Sequence, residues 1–530
     1  YWLAELLLYG IHARWGLAGV ILVRAAVFTL LFVLLYRLTR AVGAGRLTAV
    51  LLVALADRTI VQELAYVGDR PQMWSSLLFT ATLLLCERQR QGRRWASIGL
   101  PALMLLWSNL HGGYLLGLAA VGLSVASAAV RGDATRRQWA SAGASLLLSG
   151  CNPGGFSTLL SYPAFRASGS GVLNKIVEES SPLDWLSPLS FARLAPALTA
   201  LLALSLVLLL PRLRTLARER ADLLVLHAVT LAMGLSGARY LIFFAVVAAT
   251  TAALDVGGLL DRLRARWSGF DAGAGKTAAC AAAALVLAVL TAGQIRTAAR
   301  TSAFRPGFVY RHPWEGVADF LQQSGLRGNL LNEYRAGGYL AWRLFPSLKV
   351  SIYGRALSGE LLARYERLLM RPSEIMDGRR RYERDFEAFE VDAIALPTCS
   401  APTGAMFPLT VLAARDENWA LVYSDATAVV LVNRRTAPAG LLERTLPPTA
   451  FYDNMIALAR QAGRSRHGRS VPAWRYSLAF ALYARGESAA ALSVLDEYLR
   501  LAPAHEAAWR IRERIVRELD AGTAPPPPEE

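Results

Sequence analysis

The feature that most constrains this chain is an alternation. Ten apolar runs lie near 17–36, 46–62, 72–86, 96–109, 113–130, 139–152, 193–211, 222–236, 238–256 and 277–294, and arginines crowd every second connection between them. Crossing about 30 Å of hydrocarbon takes roughly 20 helical residues, and a helix satisfies its own backbone groups where water cannot. The runs therefore predict a polytopic helical membrane domain of about ten spans, several of them short. Composition agrees: 54% of the 530 residues are hydrophobic and 18% charged, which excludes an ordinary soluble globular protein.

The connections sort into two sets. Segments 37–46, 87–94, 131–138, 211–220 and 261–267 hold 17 arginines. The alternate set, 1–16, 63–71, 109–112, 152–192 and 236–239, holds only Arg14, Arg70, Arg166, Lys175 and Arg239. By the positive-inside rule the first set is cytoplasmic, so everything after residue 294 is expected outside the cytoplasm. The net charge of +17 thus reads as a topology signal and not as a nucleic-acid surface, because the basic residues are dispersed in short runs. Cys86, Cys151, Cys280 and Cys399 are too scattered for a metal box or a disulfide framework, and they read as core thiols.

From about residue 300 the pattern changes. Segments 328–332, 348–353, 391–397, 419–424 and 428–433 are rich in strand formers and bounded by turn residues. Segments 313–324, 337–345, 357–389 and 404–415 read as helices between them. The expected organisation is a transmembrane domain over 1–297, a small extracytoplasmic α/β domain over 298–436, a tetratricopeptide-like helical unit over 450–520 and a disordered tail over 521–530. The repeat reading rests on the spacing of Leu478, Ala479, Leu482, Gly486, Ala491 and Leu495 before Pro503.

Candidate site residues follow from polar groups at the ends of apolar runs. NLHGG (109–113) predicts a tight outer turn, with Gly112 and Gly113 reversing the backbone. Asn109 and His111 either satisfy backbone groups there or face a cavity. Asp69 and Arg70 follow the second run, and Arg239 precedes the ninth. Arginines on the arginine-poor side suit a phosphate or pyrophosphate head group, since a guanidinium offers paired donors; a salt bridge or a lipid-surface anchor explains them equally well. Glu178, Glu179 and Asp184 stand in the long segment 152–192, where carboxylates could serve as base or metal ligand. Gly337 and Gly338 could form an anion nest, but close packing of a helix on a strand is the simpler reason.

Taken together, WLAELLLY (2–9), DRPQMWSSLLF (69–79), LLWSNLHGGYLLGL (105–118), CNPGG (151–155), EESSPLDW (178–185), the Arg239 span and NEYRAGGYLAWRLFPSLKVSIYGR (332–355) resemble, in order, a large family of bacterial multi-pass membrane proteins related to the GT-C glycosyltransferases. The resemblance covers roughly residues 2–435. It implies an enzyme of the bacterial cytoplasmic membrane that moves sugar from a polyprenyl-phosphate carrier on the outer side. It also implies that the acidic base of the first outer loop lies upstream of Tyr1. Asp69, Arg70, Asn109, His111, Glu178 and Arg239 are then the substrate-binding candidates, with no metal ligand among them. Where the family's soluble domain often has Asp-Gly-Arg, this chain has Tyr353-Gly354-Arg355. The alternative is a non-catalytic membrane scaffold whose α/β and repeat domains bind a partner protein. A transporter is disfavoured by the scarcity of acidic residues in the spans.

Overall fold

A computed structural model describes residues 2–67, 70–159, 196–266, 288–289, 292–293, 312–354, 359–400, 404–464 and 472–521. The chain splits into two compact units, Tyr1–Val309 and Tyr310–Glu530.

The described part of the first unit is helical: α1 (Trp2–Ala41), α2 (Arg46–Val67), α3 (Gln72–Arg90), α4 (Arg94–Leu110), α5 (Tyr114–Arg131), α6 (Arg136–Ser149), α7 (Pro196–Leu209), α8 (Leu213–Glu219), α9 (Ala221–Ser236) and α10 (Leu241–Arg266). Local sequence explains several ends. Thr135 and Gln138 form a reciprocal capping box at the start of α6. Gly132, at φ 78°, closes α5 in the left-handed region that suits glycine. Gly16, at φ 60°, breaks α1, separating an amphipathic leading piece from the apolar run that follows.

Three helices among the described residues are long and apolar enough to cross a membrane: Trp2–Ala41, Tyr114–Arg131 and Ala200–Glu219. Ala221–Ser236 and Leu241–Leu254 are apolar but shorter. The expectation of about ten spans is corrected accordingly. Nine of the ten runs do fall on helices, but the others fail on length or polarity. Helices α4 and α6 have 17 and 14 residues; α2 carries Arg46, Asp57, Arg58 and Glu63; α3 ends in Glu87, Arg88 and Arg90 and buries Ser75, Ser76, Thr80 and Thr82. A run can be apolar because it packs against other helices, and periodicity alone does not separate that from facing lipid. The tenth run, 277–294, lies almost wholly outside the described residues.

The interior of this unit is built from Leu31, Leu35, Phe79, Met104, Trp107, Tyr114 and the α10 stretch Ile242–Ala249. Leu22, Leu30, Ile98, Leu147 and Val207 are exposed on its outside, an apolar surface that suits hydrocarbon better than water.

The second unit centres on a five-stranded sheet ordered β2-β1-β5-β7-β6, with β1 Gly328–Asn332, β2 Leu348–Val350, β5 Val391–Pro397, β6 Trp419–Ser424 and β7 Ala428–Asn433. The first three strands, β2, β1 and β5, are parallel, while β7 runs antiparallel to both β5 and β6. Five consecutive residues of β7 are buried, as expected of a strand covered on both faces. Asp425 shapes the β6–β7 turn: its Oδ1 accepts from the Thr427 and Ala428 amides at 2.7 and 2.8 Å. Helices α11 (Glu315–Gln323) and α12 (Gly337–Leu344) pack Val317, Leu321, Leu340 and Leu344 into the core with Leu330, Ala393 and Val430. Gly337 begins α12 so close to the Ile352 carbonyl that a Cβ would overlap it, which favours the packing reading of that glycine pair.

The long helix expected over 357–389 is two helices, α13 (Gly359–Met370) and α14 (Arg381–Ala388), separated by a two-stranded ribbon, β3 (Ile375–Met376) and β4 (Arg379–Arg380). Pro372 ends the first helix, and Asp377 and Gly378, both at positive φ, make the turn. After a short α15 (Pro408–Ala413) and α16 (Ala439–Leu442), the chain continues as α17 (Pro448–Arg464), α18 (Ala473–Ala484), α19 (Ser488–Leu501) and α20 (Glu506–Ala521), each packed on the next. Leu478, Ala479, Leu482, Ala491 and Leu495 are buried there, and Gly486 turns at φ 84°. Cys86 and Cys399 are buried as expected of core thiols; Cys151 is exposed, because it follows the end of α6.

Candidate functional site at the His111 end of the helical unit

The two ends of the helical unit differ in their polar groups. At one end the arginine-rich connections meet. Gln91 Nε2 donates to the Ala41 carbonyl at 2.8 Å, Arg131 Nη1 donates to the Glu219 carbonyl at 2.9 Å, and Arg220 Nη2 lies 3.1 Å from Glu87 Oε2. Glu87 also takes Arg90 at 2.8 Å, and Arg220 Nε reaches Asp222 at 3.4 Å. The Glu87 and Arg220 side chains are 2% and 8% exposed, so the charges are paired out of water.

The opposite end is built around the first turn of α3. Gln72 Nε2 donates to the Arg239 carbonyl at 3.0 Å. One turn on, Ser75 Oγ lies 2.7 Å from His111 Nδ1 and accepts from Trp107 Nε1 at 2.8 Å. Residues 72 and 75 are separated by about 4.5 Å of helix rise, so the Arg239 peptide and the His111 ring flank one turn of α3. Arg239 Nε is buried with no hydrogen-bond partner among the described residues, and its guanidinium carbon stands 5.7 Å from the Tyr240 ring centroid. Arg70 precedes this turn, exposed, with its carbonyl accepting from the Met73 amide.

His111 caps the end of α4, its amide bonded to the Trp107 carbonyl at 2.9 Å. The Gly113 amide donates to His111 Nδ1 at 3.0 Å. Gly113 itself has φ −63°, so left-handed freedom is not what the position requires. A Cβ there would overlap Ser75 Oγ and stand 2.9 Å from Ser75 Cβ, so glycine is present for space.

Of the sequence-predicted residues, His111 and Arg239 are brought together, and Arg70 lies two residues from their shared helix turn. Asn109 is committed elsewhere: Nδ2 donates to the Leu105 and Cys151 carbonyls at 2.9 Å each, and Oδ1 accepts from Trp2 Nε1 at 2.9 Å. Asp69 and Glu178 lie outside the described residues. Sequence reasoning missed Gln72, Ser75 and Trp107. Their signal was present: Gln72, Ser75 and Ser76 are polar at the start of an apolar run, at helical spacing with respect to one another. It also missed His227, buried in α9 with Nδ1 3.2 Å from Thr251 Oγ1 and Nε2 without a partner. Among the described residues no cluster of His, Cys, Asp and Glu could hold a metal ion.

No family model matches the sequence, and no curated protein is similar to it. Among solved structures, the chain is similar to the oligosaccharyltransferase of Archaeoglobus fulgidus. For its apo form the TM-score is 0.47 at 13% identity over 81% of this chain and 66% of that one. For the form tethered by a disulfide bond to an acceptor peptide containing the NVT sequon, the TM-score is 0.45 at 12% identity over 81% and 65%. The chain thus spans about 65% of the length of these proteins. By its helices the chain is of the membrane-protein class, with an α/β and helical second unit.

Proposed function

We propose that this is a GT-C-like membrane glycosyltransferase that uses a polyprenyl-phosphate-linked sugar, with the His111 end of the helical unit holding the carrier's phosphate on the outer side of a bacterial cytoplasmic membrane. The observation that carries the reading is the Arg239 guanidinium, buried in part without an Nε partner among the described residues, at the turn of α3 that Gln72 and Ser75 tie to the Arg239 carbonyl and to His111. A guanidinium taken from water and left short of a partner is costly, and a phosphate oxygen supplies the missing acceptor. The concentration of arginines at the opposite end supports the orientation, and the ordered sequence resemblance supports the reaction class. Arg70 adds a second positive charge, and the base that deprotonates the acceptor hydroxyl comes from a carboxylate outside the candidate residues named at this end.

The test is binding of undecaprenyl phosphate to the chain in nanodiscs, read by native mass spectrometry. Retention in the wild type with about tenfold loss in Arg239→Lys is expected, because lysine keeps the charge and loses the planar fork. Equal retention in both ends the assignment. For orientation, a reporter active only outside the cytoplasm, fused after residue 436, is expected to be active.

A further inference from the structure

Ser75 sits between Trp107 and His111, and the Gly113 amide on the same ring nitrogen sets the direction of the hydrogen bonds. An indole N–H only donates, so at 2.8 Å Ser75 Oγ accepts from Trp107. A hydroxyl oxygen has a second lone pair, so that bond alone leaves the direction of the 2.7 Å contact with His111 Nδ1 open. The Gly113 amide decides it: it donates to the same ring nitrogen at 3.0 Å, which makes Nδ1 an acceptor and the Ser75 hydroxyl the donor to it. Two donors converge on Nδ1, so it offers its lone pair; a hydrogen on it would face the amide hydrogen of Gly113. In a neutral imidazole the ring hydrogen then resides on Nε2, since the bond made by one nitrogen selects the tautomer of the other.

We infer that Ser75 is a positioning residue: with the Gly113 amide it holds His111 as the Nε2–H tautomer, so that the ring donates a hydrogen bond to a phosphate oxygen bound beside Arg239. The identity of the anion rests on the proposed function; the tautomer does not. The geometry explains three sequence positions at once. Trp107 orients the serine, Ser75 and Gly113 orient the histidine, and a side chain at 113 is excluded by contact with Ser75. A ring locked as donor at Nε2 cannot accept there, so the pair formed with the buried Arg239 Nε favours an oxyanion over a cation or an N–H group.

The experiment is solid-state 15N NMR of the full chain in nanodiscs with labelled histidine. His111 is identified among the six histidines by the signals lost in His111→Gln. Expected is a bare Nδ1 and a protonated Nε2 in the wild type. Both tautomers are expected in Ser75→Ala and in Ser75→Cys, whose thiol is a weak donor of similar size that guards against a folding failure. Adding inorganic pyrophosphate should shift the wild-type Nε2 signal, and Ser75→Ala should weaken that titration roughly three- to tenfold, as loss of one oriented hydrogen bond does. A protonated Nδ1 in the wild type overturns the inference, as does a tautomer that neither substitution disturbs. If the tautomer responds to Ser75 but pyrophosphate shifts nothing, the positioning role stands and the phosphate reading fails.

Discussion

The two ends of the helical unit use the same residue type in opposite ways. At the Glu87 end, Arg220 is almost fully buried, and its charge is met by Glu87 and Asp222 on two helices. At the His111 end, the Arg239 guanidinium carbon stands 5.7 Å from the Tyr240 ring centroid, and Gln72 binds its carbonyl and not its guanidinium. Each arginine leaves one buried nitrogen without a partner among the described residues, Arg220 Nη1 and Arg239 Nε; the ends differ in the carboxylates, which meet the charge of Arg220 and join helices, whereas no carboxylate is paired with Arg239 among the described residues. A buried arginine therefore says nothing about function until its partners are counted.

The largest expected effect breaks the first half of that contrast. Arg220→Ala leaves Glu87, 2% exposed, with Arg90 and the neutral Gln91 amide as its partners among the described residues. Loss of one partner of a buried pair costs about 3–5 kcal/mol, which should appear as a large drop in the melting temperature of the chain in detergent. Glu87→Gln together with Arg220→Met should recover most of the loss. If the single variant melts like the wild type, the ion pairs at this end do not hold the helices.

Next in size is Gly113→Ala. The added methyl meets Ser75 Oγ, and overpacking of this kind costs about 1–3 kcal/mol. The backbone itself permits alanine, since φ is −63°, so the contact with Ser75 is what opposes the substitution. Unchanged melting would therefore show that space is not the reason for glycine there.

Third is Arg239→Lys. Its Nε has no partner to lose, so melting should move by about 0.5 kcal/mol or less, whereas the equivalent Arg220→Lys should destabilise clearly. Similar losses at both positions, read by the same thermal melt, would erase the contrast between the ends.

What was legible in the sequence follows the same division. The five strands of the second unit were readable because β-branched runs bounded by turn residues have few other folds available. The arginine connections were readable because charge cannot hide in a short loop. Span number was not, since α3 owes its apolar character largely to burial, while α4 is apolar on an exposed face as well and falls short in length. Segment 357–389 looked helical throughout because the ribbon at 375–380 is only two residues on each strand. At the candidate site, His111 and Arg239 stood out as polar residues in apolar surroundings, but Ser75 did not. A serine in an apolar run is ordinary, and its role depends on the crossing of α3 with α4 that brings Trp107 to it.

The smallest effect extends the comparison to the second unit, where the half-buried Glu333 has backbone donors in place of an arginine side chain. Glu333 Oε2 accepts from the Ala336 amide at 2.7 Å, ahead of α12. Burial raises its pKa above the ordinary glutamate value, while the Arg335 and Ala336 amides and the Arg335 charge oppose the shift. The sign follows from where the proton is held. Below the unfolded value the carboxyl is protonated in both states and its contribution to stability is fully present. As pH rises through the raised folded value, the folded state must take up a charge it disfavours, and that contribution is lost. Other carboxylates titrate in the same window, so the measurable quantity is the difference between the wild type and Glu333→Gln, in which this titration is absent. Denaturation followed from about pH 4 to pH 7 should show the wild type losing stability relative to the variant across that window. A difference that is flat with pH would mean that the backbone amides neutralise the cost of burial, and that Glu333 is as well satisfied by N–H groups as Glu87 is by its arginines.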